Sequence, residues 1–114
     1  MLNYCYGLLI REDKRIEVVR RKDGMPSHRW IREILSGIRY GDFAESSAPG
    51  GVLLFCPGAA KVCPINRGAV EILRGKETVC GAALYLPGKD ENGYRLYTME
   101  RAERERKILE VLLK

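Results

Sequence analysis

The sequence predicts an α+β domain: a mostly antiparallel sheet of about five strands, with two main helices covering one of its faces. Three observations carry this expectation. Short apolar runs bounded by Gly, Pro and Asp recur along the chain, one segment has helical apolar periodicity, and the C-terminal stretch is charged with an apolar end. The 114 residues, 46% hydrophobic and 31% charged, fit a single domain over 1–114 that can bury a core without disulfide or metal staples.

Asn3 to Arg11 reads as a first strand, Glu12-Asp13-Lys14 as a polar turn, and Arg15 to Arg21 as the hairpin partner through Ile16, Val18 and Val19. Asp23-Gly24 and Pro26 break that strand. A helix comes next, from about Ser27, its expected N-cap, to about Arg39, with Trp30, Ile31, Ile34, Leu35 and Ile38 on one buried face. Gly41 to Gly51 is a loop by composition, long enough to be a binding loop. Val52 to Cys56 is a central strand ended by Pro57-Gly58, and Val62-Cys63 is a brief return strand. Ala69 to Leu73 is a short helix, Thr78 to Leu86 a strand, Pro87 to Gly93 a turn, and Tyr94 to Tyr97 the close of a second hairpin. Thr98 caps a last helix that docks through Ile108, Leu109, Leu112 and Leu113.

The +5 net charge is unevenly placed. Residues 1–39 hold nine Lys/Arg against five Asp/Glu, whereas residues 40–74 hold three of each and residues 75–114 eight against seven. On a helical wheel of about 100° per residue, His28, Arg29, Arg32, Ser36 and Arg39 share one sector beside the apolar face. Arg20, Arg21 and Lys22 precede them on the strand. Such a patch attracts an anion, whether nucleic acid, nucleotide or acidic protein; the alternative is a solvated helix face that keeps the chain soluble. Asn66-Arg67 offers a second candidate, since Arg forks onto phosphate and Asn reads an amide or base edge. Its alternative is that Asn66 caps a turn and Arg67 is merely exposed.

Catalysis is not indicated. P-loop, Gly-x-Ser-x-Gly and His-Glu-x-x-His patterns are absent, and His28 is the one imidazole available. No motif requires a cofactor. Cys56 and Cys63, each followed by Pro, are separated by six residues, more than the usual two to four between paired zinc ligands. Buried thiols and a structural zinc are the two readings, the first favoured by the spacing. No apolar run approaches the ~20 residues of a membrane span, so no membrane partner is expected. Met1 to Ile10 lacks the basic-then-apolar order of a secretory signal, which leaves a cytoplasmic expectation.

From Gly50 to the C-terminus the features stand in an uncommon order. Gly50-Gly51 precedes a strand, Pro64-Ile65-Asn66-Arg67 forms a knuckle, Gly81-Ala82-Ala83-Leu84 lies in a strand, and Thr98 opens a charged helix. This order resembles a small family of phage- and plasmid-borne domains of unknown function. It departs from that pattern at Cys56-Pro57-Gly58, where the family tends to carry acids. The resemblance implies a mobile genetic element, a host cytoplasm and action by binding. The resulting expectation is a non-enzymatic homo-oligomer holding a phosphate-bearing, nucleotide-type small ligand, for instance a host defence signal, through His28, Arg29, Arg32, Arg39, Asn66 and Arg67. Its alternatives are a nucleic-acid-binding accessory protein and a protein inhibitor of a host enzyme.

Overall fold

The computed structural model describes residues 4–21 and 27–114. Five strands form one antiparallel sheet in the order β2-β1-β5-β4-β3, where β1 is Cys5–Ile10, β2 Ile16–Arg21, β3 Ala44–Ala48, β4 Gly51–Phe55 and β5 Ala83–Leu86. The helices are α1 (Ser27–Ile34), α2 (Gly37–Tyr40), α3 (Arg67–Ile72) and α4 (Met99–Leu112), with a 3₁₀ turn over Pro57–Lys61. The α+β expectation is met in class, in strand number and in antiparallel pairing.

The layering differs from expectation, and the reason lies in the central strands. In β1, β4 and β5 the apolar residues are consecutive rather than alternating, so each strand presents apolar side chains to both faces. Both faces must then be covered. Leu8, Ile10, Leu53, Phe55, Ala83 and Tyr85 meet Ile72 and Leu73 at the end of α3, Ala102 and Leu109 of α4, and Leu113 just past it. Leu9, Val52, Leu54, Leu84 and Leu86 meet Trp30, Ile31 and Leu35 near α1 and Cys56 and Ala59 beside the 3₁₀ turn. The helices therefore cover two faces, not one.

Several local expectations are also corrected. The Gly41 to Gly51 stretch is only partly a loop: residues 41–43 are irregular, but Ala44–Ala48 form β3, turned into β4 at Pro49-Gly50, where Gly50 has φ 79°. Composition suggested a loop because Ala, Ser and Gly lack the β-branched or aromatic bulk that marks a strand. Val62-Cys63 forms no strand, and Ile65 makes an isolated bridge with Cys80 instead. Gly81, at φ 77°, ends any continuous strand from Thr78, so only Ala83–Leu86 remains. The second hairpin pairs β6 (Gly88–Asp90) with β7 (Gly93–Arg95) as a separate ribbon. Tyr97 then exchanges backbone bonds with Tyr6 at 2.9 and 2.8 Å. Thr98 caps α4 as expected, its hydroxyl accepting from the Arg101 N–H. Of the four expected docking residues, Leu109 and Leu113 are buried, whereas Ile108 and Leu112 are exposed. Asn3, Lys22, Asp23, Gly24 and Pro26 lie outside the described residues.

The 3₁₀ turn is wedged against the end of α2, where a methyl added at Gly58 would collide with the backbone carbonyl of Tyr40. Gly58→Ala is accordingly expected to lower stability by about 1–3 kcal/mol, since a rigid carbonyl must move to make room. A urea midpoint shift with an unchanged m value measures this.

Candidate functional site

The site begins with a break in a helix. The predicted helix from Ser27 stops at Ile34, and Ser36 adopts a left-handed conformation (φ 57°, ψ 44°) before α2 starts at Gly37. The Ser36 side chain makes no capping bond there. The break resets the helical phase. Ile38, which a continuous helix would have buried with Trp30, Ile31 and Leu35, is instead 98% exposed.

Ile38 now stands among the basic residues. A shallow groove of about 370 Å³ is lined by His28, Arg29, Arg32, Glu33 and Ile38. A neighbouring one of about 430 Å³ is lined by Arg32, Glu33, Ser36, Gly37, Ile38 and Arg39. The two share Arg32, Glu33 and Ile38 and so form one surface along α1 and α2. Four of the six predicted ligand residues, His28, Arg29, Arg32 and Arg39, are thus brought together.

Charge on this surface is only partly offset. Arg29 Nε lies 3.2 Å from Glu33, and Arg32 Nε lies 3.4 Å from Asp42, both pairs being well exposed. Arg39 has no ion pair among the described residues. Beside them runs an aromatic row that residue spacing did not reveal. The His28 ring is 4.8 Å from Phe43, and Phe43 meets Tyr94 edge-on at 6.0 Å. The Tyr94 hydroxyl donates to Glu45 at 2.6 Å, and Lys89 Nζ lies 3.3 Å from the same carboxylate. Phe43 lies in a glycine-rich stretch and Tyr94 in a hairpin, so neither carries a local signal; the packing of the ribbon beside α1 brings them together.

Burial and the bond to Glu45 push the Tyr94 phenol up to about 12, while the donated hydroxyl holds the Glu45 carboxyl below its usual value. The folded chain therefore keeps the Tyr94 proton more tightly than the unfolded one. That contribution is complete below the ordinary tyrosine value of 10.0 and is lost as pH rises toward 12. Tyr94→Phe is expected to flatten the fall of stability across this window in urea titrations. A residual slope remains, because burial also raises Tyr85 and Tyr97.

Asn66 and Arg67 do not join the groove. Asn66 is 0% exposed. Its Nδ2 donates to the carbonyls of Ile10 (2.9 Å) and Gly81 (2.8 Å), and its Oδ1 accepts from the Ala69 N–H (3.0 Å). The side chain caps α3 and ties it to β1 and to the chain entering β5, leaving no polar atom free for a ligand. Arg67 is exposed at the start of α3, on the opposite face of the sheet from α1. Of the six predicted residues, four thus share the α1–α2 surface, Asn66 is taken up inside the fold, and Arg67 lies across the sheet from the four.

Other concavities carry less. One of about 460 Å³ at the first hairpin is lined by Arg11, Glu12, Asp13, Arg15, Pro64, Ile65 and Ala82. Both of its arginines are paired, Arg11 with both oxygens of Glu17 and Arg15 with Asp13 at 2.7 Å, whereas the α1–α2 surface includes Arg39, which has no ion pair among the described residues. A tighter pocket of about 170 Å³ holds Tyr40, Cys56 and Cys63. The Cys56 thiol bonds the Leu35 carbonyl at 3.5 Å, and burial pushes its pKa up, away from a reactive thiolate. Cys63 bonds the Tyr40 hydroxyl at 3.3 Å, Cys80 is buried, and Cys5 is exposed. Among the described residues no three His, Cys, Asp or Glu side chains are grouped to hold a metal, and no helix is long and apolar enough to cross a membrane. No family model, no curated protein and no solved structure matches this chain.

Proposed function

We propose that this chain is a non-enzymatic binding protein whose α1–α2 groove takes a phosphate-bearing, nucleotide-type ligand. The observation that carries this reading is the gathering of Arg29, Arg32 and Arg39 around the exposed Ile38, beside the His28–Phe43 contact. A guanidinium presents paired N–H donors that match phosphate oxygens. The resident partners Glu33 and Asp42 hold their arginines in exposed pairs, each worth about 0–1 kcal/mol, so a phosphate displaces them at small cost. Ile38 and the His28–Phe43 edge supply apolar and aromatic surface for a base or sugar. In the mobile-element setting that the resemblance implies, such a groove would withdraw a host nucleotide signal from solution.

A second reading draws on one further feature. The surface continues from Arg39 past His28 and Phe43 to Tyr94 and Lys89, interleaving cations with aromatic rings in the manner of single-strand binders. Thermal-shift measurements with cyclic and linear nucleotides, inorganic phosphate and short single-stranded oligonucleotides separate the two. A ligand at 100 times its Kd raises stability by about 2.7 kcal/mol. Stabilisation by nucleotides supports the first reading. Stabilisation by oligonucleotides alone, weakening steeply with salt, supports the second. No shift with any of them overturns both.

A further inference from the structure

The sheet ends in two edges of different construction. On β2 the Trp30 indole donates to the carbonyl of Arg20 at 3.2 Å, and the strand carries Glu17, Arg20 and Arg21, charges that discourage strand addition. The other edge, β3, reads Ala-Glu-Ser-Ser-Ala, with no Pro or Lys and an unbroken register against β4.

The turn decides which backbone groups of β3 face outward. Only Pro49 and Gly50 separate Ala48 from its partner Gly51, so that pair must be the hydrogen-bonded kind. Ala44, Ser46 and Ala48 therefore bond to β4, and Glu45 and Ser47 turn their N–H and C=O groups to the open edge. No hydrogen bond from elsewhere in the described residues reaches these backbone groups. The Glu45 carboxylate is held on the α1 side by Tyr94 and Lys89 and does not guard the edge itself.

We infer that β3 is a dimerisation edge, pairing antiparallel with β3 of a second copy about a two-fold axis at Ser46. In this register Glu45 of each chain lies opposite Ser47 of the other, and every outward N–H and C=O of those residues is paired. The neighbouring registers fail. One sets Glu45 against Glu45, placing like charges opposite each other. The other sets Glu45 against Pro49, which has no N–H to give. Small side chains at Ala44, Ser46 and Ala48 let the strands approach along the whole edge.

Because the two-fold axis of an antiparallel strand pair is perpendicular to the sheet, the product is one continuous sheet of ten strands with both α1–α2 grooves on the same side. A ligand too large for one shallow groove then meets two. The pairing itself does not depend on the identity of that ligand.

Three measurements test the pairing. Sedimentation equilibrium of the full chain is expected to give twice the 12.9 kDa chain mass. Ser46→Cys in a Cys5→Ser background is expected to form a covalent dimer on mild oxidation. Residues facing each other in a non-hydrogen-bonded pair have Cα atoms ~4.5 Å apart, within disulfide range. Ser47→Pro removes an outward N–H while sparing the β3–β4 ladder, and is expected to shift the mass to monomer with cooperative melting retained. If Ser47→Pro fails to fold, the Ser46→Cys cross-link decides alone. A monomeric mass across the micromolar range with no cross-link overturns the inference, as does a dimer that neither variant alters.

Discussion

Replacing Arg29, Arg32 and Arg39 together by Ala is expected to weaken binding of a nucleoside triphosphate by about three orders of magnitude or more. Hydrogen bonds to a charged phosphate are worth roughly 1.5–3 kcal/mol each, and three guanidiniums would be lost at once. Folding stability is expected to move little, by about 1 kcal/mol or less, because all three side chains are exposed and two of them hold only surface ion pairs. Isothermal titration measures the first quantity and urea unfolding the second. Arg67→Ala is the matched control: it removes an exposed Arg from the other face of the sheet and is expected to leave affinity unchanged. Equal losses from Arg67→Ala and from the triple variant would sink the assignment of the groove.

Asn66→Ala is expected to do the reverse, costing stability outright. The substitution takes the Nδ2 donor away from the buried carbonyls of Ile10 and Gly81 and leaves the Ala69 N–H without its cap. An unsatisfied buried group costs about 1–3 kcal/mol and a lost N-cap about 0.5–2 kcal/mol. The combined loss is expected at about 3–5 kcal/mol, a large share of the ~5–15 kcal/mol that holds a domain folded. Asn66→Asp preserves the cap but removes both amide donors and places a carboxylate against two carbonyls, so it is expected to be no better. Chemical denaturation of the two variants measures the effect. A variant that melts like wild type but binds ligand less well would restore Asn66 to the ligand set.

These two expectations show how the same residue types divide between site and scaffold. Asn66 and Arg67 are adjacent in sequence and read locally as one polar knuckle. Local pattern cannot say that Asn66 points into a junction of three segments, because Ile10 and Gly81, its partners, are 56 and 15 residues away. The arginines of α1 and α2 are more legible. The grouping of His28, Arg29 and Arg32 is a short-range property of helical spacing within α1, and Arg39 shares their surface across the break at Ser36. Ile38 escapes the same spacing for the complementary reason: a single left-handed residue rotates the side chains after it, and Ser36 is not a residue type that announces such a turn.

By itself the sequence determined the elements with strong local periodicity or punctuation. The first hairpin, α1, the β4 strand, α3 and α4 all arise from apolar spacing, turn residues and caps, and so does the concentration of positive charge in residues 1–39. Tertiary structure decided the rest. It set the consecutive apolar runs of β1, β4 and β5 between two helical layers, made an edge strand of the small residues before Pro49, and drew Phe43 and Tyr94 to His28. The physical reason is common to all three. Each depends on which surfaces remain to be covered once the local elements have formed, and that is settled by burial and backbone pairing between segments far apart in the chain.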